Sequence, residues 1–488
     1  MNERLAFGYG TSGRAAGDVL PPRLVARETR VAPPHADEQT GETPVRETRR
    51  DWAFLGLLAF TAVLYFRPQD QIPGMSAIPF AELCAIVGLI AMVTGRLSRG
   101  LPVTRITPEL IGVAGLGFVI LFTAPFSIWP GGAIGTFTDV FAKVILIFLL
   151  MVNTLTTTER LFRFMSVVVV TTGYIATRAA IDYARGINLI ENGRVQGAVG
   201  GMFQNPNDLA LNMVAVLPLS VLVAMQAKTT FGRLGAAFLG AMMVGAVMVS
   251  YSRGGFVGLA IMFAILGVQL ARRKPAVAGV GVLLLLFAVP FAPSSYWERV
   301  ASITDDSLDA TGSREARRIL LTEAWNTFLT FPFHGVGAGQ FQNYNPPDRL
   351  ELWRETHNVV LQVAAELGIF GLAAFVFLLY RAVMGGWRTR ALVRRARGQN
   401  THPSWQAHAP PRPVIGRDEA TYLEAHAGAM TSAVVGWFVC ALFASVAYSW
   451  TFYYLLALVA APHVILGQRL AASRQASASA NPRLAERV

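Results

Sequence analysis

From Trp52 onward the chain alternates long apolar runs with short polar breaks. The runs measure about 16–24 residues, the length needed to cross a hydrocarbon layer about 30 Å thick as helix. They lie near 52–67, 76–95, 108–128, 131–152, 161–182, 208–226, 233–251, 253–271, 275–293, 357–380, 428–446 and 449–467. This pattern predicts about twelve transmembrane helices in an all-α polytopic membrane protein. Two interruptions are much longer than the rest, 183–207 and 294–356, and a third polar stretch covers 381–427.

Composition agrees with the pattern. Only 15% of the 488 residues are charged and 53% are hydrophobic, and mean hydropathy is +0.44. A water-soluble chain needs about 25% charged residues for its surface, so soluble enzymes, disordered proteins and secreted disulfide scaffolds are excluded. The two cysteines, Cys84 and Cys440, both lie in apolar runs, which disfavours a structural disulfide and leaves no zinc-type spacing.

The net charge of +12 bears on topology more than on nucleic acid, and no nucleic-acid partner is expected. Alternate loops carry the bases: Arg96, Arg99 and Arg105; Arg160 and Arg163; Lys228 and Arg233; Arg272, Arg273 and Lys274; and six arginines from Arg381 to Arg397. The positive-inside rule then places both termini in the cytosol and the long loops 183–207 and 294–356 on the far side. The expected organisation is a disordered cytosolic tail over 1–50, helices one to nine over 51–293 and a large periplasmic loop over 294–356. Helix ten follows over 357–380, a cytosolic loop over 381–427, helices eleven and twelve over 428–467, and a cytosolic tail over 468–488. No signal peptide is visible in the first fifty residues.

Candidate chemistry sits where polar groups are expensive, at the outward membrane edge. Ser252-Arg253-Gly254-Gly255 divides two apolar runs. A fixed guanidinium there can fork onto phosphate oxygens, though the run also reads as a tight turn with a snorkelling arginine. In the large loop, Arg314, Arg317 and Arg318 recur at spacings that let them share one helix face, suiting either an anionic ligand or a solvated helix. Asn358, Gln362 and Glu366 recur every fourth residue as a polar stripe entering the tenth run, which lipid would not tolerate. His357 sits at the outward, N-terminal end of that helix, where the macrodipole favours a neutral ring able to accept a proton. Before the sixth run, Pro206 reads as a turn with Asn207 or Asp208 as helix cap. No phosphate loop and no HExxH motif occur. Asp305, Asp306 and Asp309 could hold a divalent ion, yet acids in a polar loop usually meet water.

Taken in order, these pieces resemble the O-antigen ligase and O-antigen polymerase superfamily of bacterial envelope glycosyltransferases. The matching elements are Phe203-Gln204-Asn205-Pro206-Asn207-Asp208, Ser252-Arg253-Gly254-Gly255, Arg314 with Trp325, the turn Pro332 to Gly339, and His357-Asn358 followed by Glu366-x-Gly368. They fall within about residues 190–380. The resemblance implies a GT-C-like, metal-independent enzyme of the bacterial inner membrane with no cofactor. It would take a glycan from undecaprenyl diphosphate at the periplasmic face and pass it to an acceptor hydroxyl, on lipid A–core for a ligase or on a growing polysaccharide for a polymerase. Arg253, Arg314 and Arg317 would hold the donor diphosphate and His357 would be the base. Asn358, Gln362, Glu366 and Asn207 would support the pocket. From another class, a secondary transporter would use Glu82, Asp139, Lys143 and Glu366 as a path, although no symmetry between the halves is evident.

Overall fold

A computed structural model describes residues 51–75, 78–190, 193–276, 279, 313–351, 353–398 and 414–480, excluding the side chains of 313–314 and 474–480. The expected tail 1–50, the expected ninth span 275–293 (beyond its first residues), most of the linker near 398–420, and Asp305, Asp306 and Asp309 lie outside that set.

The architecture is helical, with a single two-stranded hairpin among the described residues. Helices α1 to α7 run Trp52–Phe66, Pro68–Gln71, Phe80–Leu97, Pro108–Thr123, Pro130–Thr136, Ala142–Thr154 and Thr158–Arg185. Strands β1 (Leu189–Ile190) and β2 (Arg194–Val195) pair antiparallel, with Ile190 opposite Arg194. Helices α8 to α14 follow as Pro206–Gln226, Thr230–Val249, Arg253–Ala271, Ser313–Thr330, Val359–Ala396, Arg417–Ala441 and Trp450–Ala480.

Helix starts obey local chemistry. Asp51, Thr107, Thr157, Thr229, Ser252 and Asn358 each accept a hydrogen bond from a backbone N–H of the first turn, satisfying a donor that the helix itself leaves unpaired. For α8 the cap is Asn205, two or three residues earlier than the sequence suggests, and Pro206 takes the first helical position where its missing N–H costs nothing.

Nine helices among the described residues are long and apolar enough to cross a membrane, α5 and α6 counting as one through a π-helical turn. They coincide with nine of the twelve expected spans. Of the other three, 275–293 lies essentially outside the described residues. The run 52–67 is a helix of only 15 residues, and α13 is long but polar in its first half. The expected tenth span does not stop at 380, since α12 continues to Ala396. Outward faces are apolar, as in Leu83, Ile86, Val87 and Ile90 of α3 and Ile111, Phe118 and Phe122 of α4. Such exposure suits lipid and would be an aggregation hazard in water. The chain is a multi-pass, all-α membrane protein.

The core forms around α8, which packs against α9, α10 and α13, and around α12, which packs against α4, α13 and α14. Trp437 stacks on Phe452 with centroids 4.6 Å apart. Polar pairs inside this core close on themselves: Glu109 with Arg381, Thr451 with Asn212, and Thr61 with Tyr454 at 3.1 Å.

One irregular piece matters for the site. Residues 332–339 fold against α12, where Gly368 breaks the helix at φ 63°, ψ −159°. The carbonyls of Ala365 and Glu366 accept from Val336 N (2.9 Å) and Gly337 N (2.8 Å), and Pro332 O accepts from Ile369 N (2.8 Å). The loop thus supplies the hydrogen bonds that the broken helix lacks, a requirement at membrane depth. Gly335 sits at φ 65° with its Cα against the Glu366 backbone, where a side chain would collide. The Pro-x-x-Gly-x-Gly pattern is therefore a docking geometry.

Candidate active site

Three helix N-termini converge on one cavity of about 760 Å³. Asn205, Pro206, Asn207 and Asp208 come from α8, Arg253 from α10, and His357 from the residue before the cap of α12. The positive ends of three macrodipoles favour an anion there. Ala316, Arg317 and Leu320 of α11 form another wall, and Arg194 of β2, Tyr251, Trp353, Arg354 and Glu355 complete it. Four arginines face two carboxylates, so the cavity is cationic.

Asn207 ties the wall together. Its Oδ1 accepts from Arg194 Nη2 (2.8 Å) and from Ser252 Oγ (2.9 Å), and Ser252 Oγ accepts from Gly255 N (3.1 Å). Arg194 Nε also donates to Ser250 O at 3.1 Å. One amide thereby fixes the start of α10, which carries Arg253, relative to α8 and to the hairpin arginine. The hairpin register delivers Arg194 to this point.

His357 has φ 49°, a left-handed conformation uncommon outside glycine but one that histidine adopts more readily than most residues. Its backbone N–H donates to Ser445 Oγ (2.9 Å), whose hydroxyl also meets Thr356 Oγ1 at 3.0 Å. Burial first, then the nearby Arg317 and Arg354 guanidinium groups, push the imidazole down to about 4. At that value the ring is neutral across the physiological range, and the causes are burial first and then positive neighbours. Glu355 beside it is raised by burial, which the Ser445 hydroxyl partly opposes.

The predicted site residues separate into groups. Arg253, Arg317, Asn207 and His357 share the cavity wall. Arg318 does not join them: it lines a groove on another face of α11, with Glu315, Asn326 and Asp348. The side chain of Arg314 lies outside the described residues. Asn358, Gln362 and Glu366 are not cavity-lining but fastened to backbone. Asn358 Oδ1 caps Val360 and Leu361 at 3.0 Å, and its amide donates to Leu442 O. Gln362 Oε1 accepts from Ala447 N at 3.0 Å. Glu366 Oε2 accepts from Gly339 N and from the Tyr448 hydroxyl, both at 2.8 Å.

Residues 238–376 match the O-antigen ligase family. The match bears out the resemblance to the O-antigen ligase and polymerase superfamily. The O-antigen ligase stretch holds Arg253, Arg314, Arg317, His357, Asn358, Gln362 and Glu366, whereas Arg194 and Asn207 precede it. No curated protein matches the chain.

Sequence reasoning missed Arg194, Arg354, Glu355 and Trp353. Arg354 and Glu355 are immediate neighbours of His357, a signal within reach. Arg194 sits in a Gly-flanked polar break, where only strand pairing shows which way it faces. Among the described residues, no three His, Cys, Asp or Glu side chains converge to hold a metal. Of the transporter residues, Lys143 pairs with Glu82 at 3.0 Å on an outward, half-exposed surface, Asp139 meets Thr138, and Glu366 is sealed. They form no common path.

Proposed function

We propose that this protein is a membrane glycosyltransferase of the O-antigen ligase kind, moving a glycan from undecaprenyl diphosphate to an acceptor hydroxyl at the periplasmic face of the bacterial inner membrane. The observation carrying this is the cationic cavity at three helix N-termini with a neutral histidine in its wall. A diphosphate leaving group concentrates negative charge, and fixed guanidinium groups stabilise it as it departs.

The acceptor oxygen attacks the anomeric carbon and the bond from that carbon to the diphosphate oxygen breaks, its electron pair leaving with the lipid diphosphate. The acceptor's proton passes to the His357 imidazole. Arg253 and Arg317 hold the diphosphate, with Arg314 expected beside them and Arg194 and Arg354 joining them. Asn207 keeps the wall in place, and Asn358, Gln362 and Glu366 hold α12 and its docked loop beneath it. Both termini are cytosolic in this reading, about twelve helices span the bilayer, and the lipid tail lies between helices. Acceptors are lipid A–core or a growing polysaccharide, and no metal or cofactor takes part.

The test uses purified protein in lipid with an undecaprenyl-diphosphate-linked oligosaccharide, with and without lipid A–core, in EDTA. Glycan moved onto lipid A–core supports the ligase reading. A ladder grown on the carrier would instead make the protein a polymerase of the same superfamily. Loss of transfer in EDTA would overturn the metal-free mechanism, and no transfer in any arm would overturn the assignment.

A further inference from the structure

Trp353 has a placement that the chemistry above does not use. It is 68% exposed, its backbone is left-handed at φ 58°, and its ring lines the rim of the cationic cavity beside Arg354 and Glu355. A bulky aromatic in that conformation costs free energy, and an exposed indole in a polar wall gains nothing from a core. Something must hold it there.

Arg349 does so. Its side chain is almost wholly buried, 2% exposed, and pairs with Glu323 of α11 at 3.3 Å. Its guanidinium lies over the Phe341 ring, 4.3 Å from the centroid. It donates to carbonyls on both sides of the indole, Glu351 O (3.1 Å) and Arg354 O (2.9 Å), and to Phe341 O (2.7 Å) and Tyr344 O. Glu323 Oε1 accepts from Leu350 N and Glu351 N, and Asn345 Oδ1 accepts from Trp353 N at 3.2 Å. Nearly every polar group around the turn is spent on fixing it, and the indole faces outward from this frame.

We infer that Trp353 is a stacking platform for a pyranose ring of the glycan at the cavity mouth. The C–H face of a sugar is apolar and flat, and its hydroxyls radiate at the edge. An indole beside charged groups meets both requirements: the ring takes the C–H face, and Arg354 and Glu355 can meet hydroxyls. Diphosphate in the cationic interior and sugar on the rim follow the polarity of a lipid-diphosphate-linked glycan. The inference rests on the function proposed above and adds its sugar subsite. Arg349 acts through Trp353 as a positioning residue.

The test compares equilibrium binding of two probes to the full chain in lipid nanodiscs: undecaprenyl diphosphate, and the same carrier bearing one hexosamine. Trp353→Ala should weaken the sugar-bearing probe about five- to tenfold, the scale of one aromatic stacking contact, with the bare carrier changed less than about twofold. Trp353→Phe should recover most of the loss, and Asn345→Ala should lose affinity for the sugar-bearing probe alone. Thermal stability of Trp353→Ala should match the wild type, because the ring is exposed. Equal loss on both probes, or loss of stability, would make Trp353 a bilayer-interface anchor and overturn the inference. So would no change on either probe. Wild type binding neither probe would overturn the proposed function itself, and this subsite with it.

Discussion

Residues 353–357 and the polar stripe Asn358, Gln362 and Glu366 are adjacent in sequence, yet their polar groups behave oppositely. In the stripe every polar side chain is closed inside the protein: Asn358 onto the backbone of its own helix and Leu442, Gln362 onto the backbone of Ala447, Glu366 onto the Gly339 N–H and the Tyr448 hydroxyl. In the first, Trp353, Arg354, Glu355 and His357 all face a cavity. Buried polar groups with their hydrogen bonds complete hold helices together where lipid offers no alternative partner. Polar groups left facing a cavity keep their capacity for a ligand. Polarity beside a membrane segment therefore points to chemistry where it lines a cavity, and to packing where it is closed off inside the protein.

The sharpest way to break this contrast is at His357. His357→Asn keeps a residue that tolerates the left-handed backbone but removes the basic nitrogen. Transfer should fall about 10²- to 10⁴-fold, the range for a lost general base, while membrane insertion and yield stay near wild type. Transfer within about threefold of wild type would remove His357 from the reaction.

Next come the arginines, where α11 provides its own control. Arg317→Gln and Arg253→Gln should each reduce transfer about 10²-fold, as removal of one charge-stabilising donor does. Arg318→Gln, one position along but facing the other groove, should stay within about threefold, since surface changes away from a site rarely matter more. Steady-state transfer by the three variants decides it, and equal losses at 317 and 318 would mean that charge on α11 acts diffusely.

These contrasts mark how far the sequence could be read. Nine membrane spans were legible because hydrocarbon thickness fixes helix length, a one-dimensional constraint. His357 and Arg253 stood out as candidates because polar groups are expensive at a membrane edge, and Arg317 through helical spacing; the fold brings the three to one cavity wall. The role of Glu366 was not legible, since a stripe of four-residue period announces a buried face without saying whether its partners are backbone groups or a wet cavity. Arg317 and Arg318 likewise fit one helix face by spacing alone, and tertiary packing around α11 assigns them to different grooves. Arg194 depends on a two-residue strand pairing too short to leave a periodic signal.

The fastened stripe predicts a stability effect. Glu366→Ala leaves the Gly339 N–H and the Tyr448 hydroxyl without an acceptor, costing about 1–3 kcal/mol for each group left unsatisfied. A lower midpoint of thermal unfolding in detergent is expected, with transfer per folded molecule close to wild type. A fully stable variant with lost transfer would put Glu366 on the chemical side of the comparison.

The smallest expected effect is a flat line. Burial and the Arg317 and Arg354 charges hold the free protein's His357 near 4, and the neutral ring is the competent form. As pH falls from 8 to 5.5 that form stays populated, so kcat/KM should change less than about twofold, whereas a histidine at its ordinary value near 6.5 would lose about tenfold. Glu355 is raised by its own burial, and Asp208 is the other carboxyl of the same cavity wall, so the profile is best recorded in Glu355→Gln and in Asp208→Asn as well, leaving His357 the titrating group. A bound diphosphate offsets the arginine charges, which moves the acid limb of kcat to higher pH than that of kcat/KM. Arg317→Gln should shift the free-protein limb the same way by removing one repelling charge. An acid limb at pH 6.5 that persists in both Glu355→Gln and Asp208→Asn would mean that His357 meets water as freely as a surface residue, and the contrast between the cavity wall and the stripe beneath it would lose its electrostatic basis.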